Sequence, residues 1–203
     1  GLVQGVIGAL HQRRAGVVVA QRGNTGAEGH LQALDAFERL WAQGLDLRLV
    51  IVGAEGWKGL PDGARRTIPQ LVARLRNHPE LGRRLHWLQG ISDEYLDRVY
   101  AASTCLLFAS EGEGFGLPLI EAARHGVPLL ARDLPVFREV AGSHASYFTA
   151  HDGAALAAAI QDWLRLHGAG RAPSPAGIAS RTWADNAAEL VSMLFPAVPA
   201  NNA

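Results

Sequence analysis

Glu113 and Glu121 stand eight residues apart, on either side of Gly114-Phe115-Gly116-Leu117-Pro118 and just beyond the apolar run at 104–110. A strand ending there and a helix starting at Pro118 would leave the amides of residues 116, 117 and 119 without intrahelical partners; Pro118 has no amide to leave. Such a terminus favours an anion such as a phosphate by about 0.3–1 kcal/mol, and more when partly buried. Glu121 lies one turn inside, and helical side chains lean toward the N-terminus, so its carboxylate reaches back over the mouth. A carboxylate repels phosphate and suits hydroxyls. A vicinal diol on a ribose or hexose offers it two donors, and hydrogen bonds to charged groups contribute roughly 1.5–3 kcal/mol. An anion cradle between two diol acceptors describes a sugar–diphosphate–nucleoside ligand. Taken singly, Glu113 reads as a solvated loop residue and Glu121 as a helix-dipole partner; the pair, with this turn between them, points to a site.

Other reactive side chains form no second constellation. The eight histidines are scattered without His-x3-His spacing, and no Cys-x2-Cys exists, so no metal site is expected. His125 precedes Gly126 at a helix end, where a cation suits the dipole. Asp133 is expected to cap the following helix, and Glu139 to pair with Arg138 or a neighbour. Ser110 lacks a Gly-x-Ser-x-Gly elbow, which disfavours nucleophilic hydrolysis. Cys105, the single cysteine, lies inside an apolar run and reads as a buried structural thiol in a reducing compartment.

The elements that must position Glu113 and Glu121 alternate. Apolar, β-rich runs fall at 16–20, 47–53, 84–90, 104–110, 127–132 and 145–148, several of them continuous enough for parallel strands covered on both faces. Between them run helical periodicities: Leu31, Leu34, Phe37, Leu40 and Trp41; Ile68, Leu71, Val72 and Leu75; Tyr95, Leu96, Val99 and Tyr100; Leu156, Ile160, Trp163 and Leu164. Ser92 followed by Asp93 and Glu94 is an N-cap with an acidic first turn. Pro118 and Gly126 bracket the helix that carries Glu121. The pattern predicts an α/β fold, a Rossmann-like, doubly wound, mostly parallel sheet. Right-handed crossovers then gather the strand-to-helix loops at one edge, where ligands bind. Residues 1–15 read as an exposed leading segment, 16–166 as the ligand-binding domain, 167–181 as a linker, 182–195 as an amphipathic helix and 196–203 as a tail.

Lys plus Arg and Asp plus Glu balance at 19 each, which gives no net field toward nucleic acid or an anionic membrane. The basic residues comprise eighteen arginines and one lysine, Lys58. The pairs Arg65–Arg66 and Arg83–Arg84 read as solvated faces. No apolar stretch approaches the roughly 20 residues that span a bilayer, so a location inside the cell is expected.

The segment SEGEGFGLPLIEAARHGVPLLARDLPVFREVAG, with HLQALDAFERL, LRLVIVG and ISDEYLDRVYAAS, resembles retaining glycosyltransferase family 4, the GT-B-fold group 1 glycosyltransferases. Glu113 and Glu121 match its Glu-x7-Glu pattern, and the likeness runs from about residue 29 to 165. Within the family it is similar to mannosyltransferase-like members that build bacterial O-antigen. The resemblance implies the donor-binding half of such an enzyme. Glu113 would be the catalytic residue, holding donor hexose hydroxyls near the reacting carbon. Backbone amides at Phe115, Gly116 and Leu117 would hold the diphosphate, aided by Arg22, and Glu121 the ribose, with Gly114 and Gly53 also among the donor-binding residues. Leu88, Gly90 and Ile91 would take the base, with Tyr95 or Leu96 flanking it. The donor is then a nucleotide-diphosphate sugar, GDP-mannose by likeness, with no cofactor and no metal. The acceptor is a glycan or lipid-linked glycan, and the location is cytoplasmic, peripheral at the inner membrane face.

Two departures accompany the likeness. The family's first loop commonly carries an Arg and, six residues on, a Lys; here those positions are Arg22 and Glu28, an anion where a cation is usual. Gly23, Gly26 and Gly29 suit a phosphate cradle and a plain turn equally, and Lys58 is a partial substitute at most. The N-terminal acceptor domain of GT-B enzymes is missing from these 203 residues, and the helix at 182–195 resembles the segment that packs back on it, so apolar side chains are expected to be exposed there. The isolated fragment is expected to bind nucleotide without transfer. Rival readings are a non-catalytic nucleotide-binding or scaffold module, which Glu28 favours, a dinucleotide oxidoreductase, whose Gly-x-Gly-x-x-Gly spacing is absent, and a sugar-nucleotide epimerase, which lacks this pattern.

Overall fold

In a computed structural model, described for residues 16–20, 28–53, 67–178 and 183–195, six strands form one sheet. They are β1 (Gly16–Ala20), β2 (Arg48–Val52), β3 (Leu85–Leu88), β4 (Cys105–Phe108), β5 (Leu129–Arg132) and β6 (Ser146–Phe148). The helices are α1 (Glu28–Ala42), α2 (Ile68–Arg76), α3 (Asp93–Ala101), α4 (Leu117–Arg124), α5 (Pro135–Ala141), α6 (Gly153–Gly168) and α7 (Trp183–Leu194). The strand order is β3-β2-β1-β4-β5-β6, and every pairing is parallel. This is the doubly wound Rossmann order, so the expected fold is the fold observed.

The continuous apolar runs are explained by two cores. Leu49, Ile51, Cys105 and Leu107 face a core filled from α1, α2 and α6 by residues including Phe37, Leu75 and Trp163. Their neighbours Val50, Val52, Leu106 and Phe108 face the opposite core, filled from α3, α4 and α5 by Val99, Tyr100, Leu119 and Phe137. Successive side chains of a strand point to opposite faces, so a strand covered on both must be apolar throughout. Burial pushes the Cys105 thiol pKa well up, as an inert structural thiol requires.

β1 spans its whole run, and the other strands are one or two residues shorter at an end than theirs. Pro128 shows one reason: it lacks an amide, yet its carbonyl still accepts from Leu106 at 2.9 Å, so regular pairing begins at Leu129. The stretch after α6 lies against the domain. His144 Nδ1 and the Ser174 carbonyl are 3.1 Å apart, Pro175 is buried, and Ile178 joins the second core. Farther on, α7 exposes Leu190, Val191, Met193, Leu194 and Phe195, as expected of that helix.

The order reverses between β1 and β4. In an open parallel sheet the loops that leave these strands diverge over opposite faces and open a crevice beyond the carboxyl ends. The loop from β4 to α4 is the one that carries Glu113.

Candidate functional site

The mouth is built on the end of β4. Ser110 Oγ donates to the Gly112 carbonyl (3.1 Å), and the chain runs through half-buried Glu113 to Gly116, the N-cap of α4. Gly116 has φ +85°, and a Cβ there would meet the Phe137 ring at 3.2 Å. Both the left-handed backbone and the space require glycine. Phe115 and Leu117 flank it with their side chains exposed. One expectation about this turn is corrected: the Leu119 amide is already used, donating to the Gly116 carbonyl (3.0 Å) in a tightened first turn.

Glu121 is half-buried on α4, and the Tyr100 hydroxyl of α3 donates to its Oε2 (3.3 Å). Tyr100 is itself fixed: it lies in the core and stacks on His125 (centroids 5.8 Å, 19°), whose Nε2 is 3.0 Å from Asp97 Oδ1. His125 caps α4 in the structural role expected of it. The Glu121 carboxylate is thus held by a buried phenol from the neighbouring helix.

The loop after β3 is supported from below. Leu88 is a core residue at 4% exposure, and its carbonyl accepts from the Gly53 amide (2.9 Å). The side chains of Leu88 and Leu96 pack in the second core, which leaves the backbone of the loop that Leu88 opens to line the edge. Gly90 is exposed, Ile91 packs its apolar body on the core, and Tyr95 is half-buried with the Arg98 guanidinium 5.7 Å from its ring. Ser92 caps α3 as expected, its Oγ accepting from the Tyr95 amide (3.4 Å). Gly53 links the two outer loops, since its carbonyl accepts from the Trp87 indole (3.0 Å).

Across the crevice stands the start of α1. Arg22, Lys58, Gly23 and Gly26 lie outside the described residues, as do Arg65 and Arg66. Glu28 is the first residue of α1, where a carboxylate suits the helix dipole. Gly29 has a packing reason of its own: a Cβ there would stand 2.2 Å from the Ala109 carbonyl oxygen. His30 follows, 5% exposed, its pKa pushed down to about 4 by burial and its Nε2 without a hydrogen-bond partner among the described residues.

Two further expectations are corrected at this edge. Asp133 does not cap α5, whose N-cap is Leu134. Instead it pairs with Arg138 (Oδ2 to Nη2, 2.9 Å), the partner expected for Glu139, and the guanidinium hydrogen bond holds its carboxyl below the usual range. Sequence reading also missed Arg132 and Gln32, a buried polar pair directly beneath the mouth. A lone Arg at the end of an apolar run was the one available signal.

A cavity of about 670 Å³ lies elsewhere, at the amino edge of the sheet between α1 and α2, lined by Glu38, Trp41, Arg74, His78, Glu80 and Arg84 among others. Its cations are paired within the protein: Arg74 with Asp35 (2.7 Å) and Glu38 (2.8 Å), Arg84 in a fork on Glu80 (2.9 Å twice) while lying 5.2 Å from the Trp41 ring. Arg84 is therefore no simple solvated charge, whereas Arg83 is largely exposed and reaches Glu80 Oε1 only at 3.8 Å. Among the described residues there is no cluster of three or more His, Cys, Asp or Glu able to hold a metal, and no helix long and apolar enough to cross a membrane.

Comparison with known proteins agrees with this geometry. Residues 17–178 match the family described as Glycosyl transferases group 1. The chain is 45% identical over 173 residues to the serotype-specific mannosyltransferase WbdA of Escherichia coli, covering 85% of this chain and 20% of that protein. It is 32% identical over 100 residues to the O-antigen chain mannosyltransferase RfbU of Salmonella typhimurium, covering 49% of this chain and 27% of that one. The chain thus spans about a fifth to a quarter of the length of these relatives. Among solved structures, Anabaena Alr3699/HepE in complex with UDP and glucose matches with TM-score 0.60 and 19% identity, over 95% of this chain and 47% of that chain. A second, described as trehalose-6-phosphate from E. coli bound with UDP-2-fluoro glucose, matches with TM-score 0.66 and 15% identity, over 83% and 40%. At such identities the structural likeness speaks for the fold alone. Together with the sheet order and the Glu-x7-Glu mouth, the match across most of its length shows that the chain belongs to the group 1 glycosyl transferases.

Proposed function

We propose that this chain is the donor-binding domain of a retaining hexosyltransferase that takes GDP-mannose and passes mannose to a glycan or lipid-linked acceptor in surface polysaccharide synthesis. The observation that carries the reading is the α4 terminus at the β1/β4 switch point, flanked by Glu113 before it and by Glu121, held by Tyr100, one turn within. Glu113 binds hexose hydroxyls and sits at the reacting carbon. Amides of Phe115, Gly116 and Leu117, with Gly114 giving close approach and Arg22 adding charge, hold the diphosphate. As the sugar leaves, charge grows on that diphosphate, and a fixed helix terminus stabilises it without reorganisation or a metal. Glu121 accepts from the ribose, while the backbone at Gly90 and Ile91, Tyr95 and the Gly53 turn surround the base. The choice of mannose rests on what the relatives are called, and the acceptor-binding part would lie in the length of them that this chain does not span. A lipid-linked acceptor would place the enzyme at the inner face of a membrane.

Calorimetry of the chain against GDP, UDP and ADP, repeated with Glu121→Ala, tests this. GDP should bind best, and the variant should lose about 10- to 100-fold in affinity, the worth of hydrogen bonds to a charged group. An affinity that Glu121→Ala leaves unchanged removes Glu121 from the site. Glu28 at the head of α1 favours one alternative, a non-catalytic module. No affinity for any nucleotide or nucleotide sugar would decide for it.

A further inference from the structure

Arg132, the last residue of β5, is 7% exposed. Its guanidinium donates to the Ala109 carbonyl from Nε (3.2 Å) and Nη2 (3.1 Å), to the Ala150 carbonyl from Nη1 (2.6 Å), and to Gln32 Oε1. Gln32 in turn donates to the carbonyls of Ala150 and Asp152 (3.1 Å each). The Phe148 ring lies 5.3 Å from the guanidinium carbon, and Glu111 Oε1, on the mouth loop itself, is 3.7 Å from Nη2. One side chain therefore joins the end of β4, the turn before α6 and the first turns of α1, across separations of 23, 18 and 100 residues.

Strand ends in an open sheet present carbonyls beyond the last regular pairing, and a planar fork of five donors suits several of them at once. Packing alone does not call for a cation here, since a buried charge is costly to desolvate and an apolar residue of similar volume avoids that cost. Burial lowers the guanidinium pKa, and the Glu111 carboxylate acts the other way. Two of the hydrogen bonds fall on the Ala109 carbonyl, where the chain to Glu113 departs, and the ion pair with Glu111 lies two residues farther along it.

We propose that Arg132 is a positioning residue: it fixes the backbone at 109–111 against α1, and so sets the place of Glu113 and of the turn at Gly116. Its consequence for ligand binding rests on the function proposed above, whereas its effect on loop order does not.

NMR order parameters of the chain measure the latter without any ligand. In the wild type, amides 110–117 should lie near the rigid value of about 0.85, and in Arg132→Lys they should fall below about 0.6, with α3 and β2 unchanged. Where wild type binds GDP-mannose, the same variant should weaken binding by about 10- to 100-fold, the scale of a displacement near 1 Å. A loop already mobile in the wild type, a loop unaffected by the substitution, a loss of order spread over the whole sheet, or an unchanged GDP-mannose affinity each overturns the proposal. Should Arg132→Lys not fold, Glu111→Gln, an exposed change, decides: lower order confined to the loop supports the assignment, and none refutes it. Wild type that binds no nucleotide would overturn the functional reading and leave the order-parameter result standing.

Discussion

Gly29 and Ala109 approach so closely that the one has no room for a side chain: a Cβ on Gly29 would stand 2.2 Å from the Ala109 carbonyl oxygen and 2.7 Å from its carbonyl carbon. The start of α1 thus rests on the end of β4, at the point where the loop to Glu113 begins.

Gly29→Ala sets two effects against each other. Helix propensity favours alanine by up to about 1 kcal/mol, while steric insertion into packed backbone costs about 1–3 kcal/mol. The contact is with backbone, which cannot swing aside, so the second should win. The urea midpoint of the variant should drop with an unchanged slope; a more stable variant would show that the two elements are not in contact.

Gly116→Ala meets both a left-handed backbone, disfavoured by about 1–2 kcal/mol for a residue with a Cβ, and the Phe137 ring at 3.2 Å. A lower melting temperature together with weakened GDP binding is expected. Loss of stability with full affinity would separate this turn from the ligand.

Tyr100→Phe deletes one hydroxyl and keeps the ring in its core. The bond to Glu121 is worth about 0.5–1.5 kcal/mol, so the melting temperature should fall by about 1–6 °C and calorimetry should show GDP affinity reduced about 2- to 10-fold. Equal affinity in the two proteins would mean that the carboxylate does not need this support.

His30 carries a pH signature. Its pKa is lowered by burial from 6.5 to about 4 in the folded chain, so the unfolded chain binds more protons between those values. The associated stability is fully present above pH 6.5 and drains away as pH falls toward 4, by roughly 3 kcal/mol at most. His86, lowered by burial and by Arg48, contributes with the same sign. Urea denaturation at pH 7 and pH 4.5 should therefore differ less in His30→Leu than in the wild type; an equal difference would place His30 in contact with water.

Much of the architecture was legible because burial on both faces leaves a plain trace: 105–109 is apolar without a break, and β4 and its neighbours lie in the middle of the sheet. Glu113 and Glu121 were legible for a different reason, since their spacing around one turn is local. What escaped notice is long-range. Arg132 meets Gln32, a hundred positions away, and nothing in ARDLPV announces it. Gly29 sits in a glycine-rich stretch that suits phosphate loops, so its contact with Ala109 was invisible. Asp133 and Arg138, five apart, found each other because α5 begins at Pro135, which carries Arg138 back over Asp133. Leu88 illustrates the converse case, in which a residue that opens the loop expected to take the base has its side chain in the core.

The sheet's two covered faces and its loop-borne mouth also divide the chain by how it can change over generations. On the proposed function, substitutions at exposed Gly90 would alter what is grasped while leaving the interior intact, and interior drift among Leu, Ile and Val would leave the grasp alone. Gly29, Gly116 and Arg132 belong to both sets. On that same reading, those three positions tie inheritance of the fold to inheritance of the site, and new donor preferences should arise around them rather than at them.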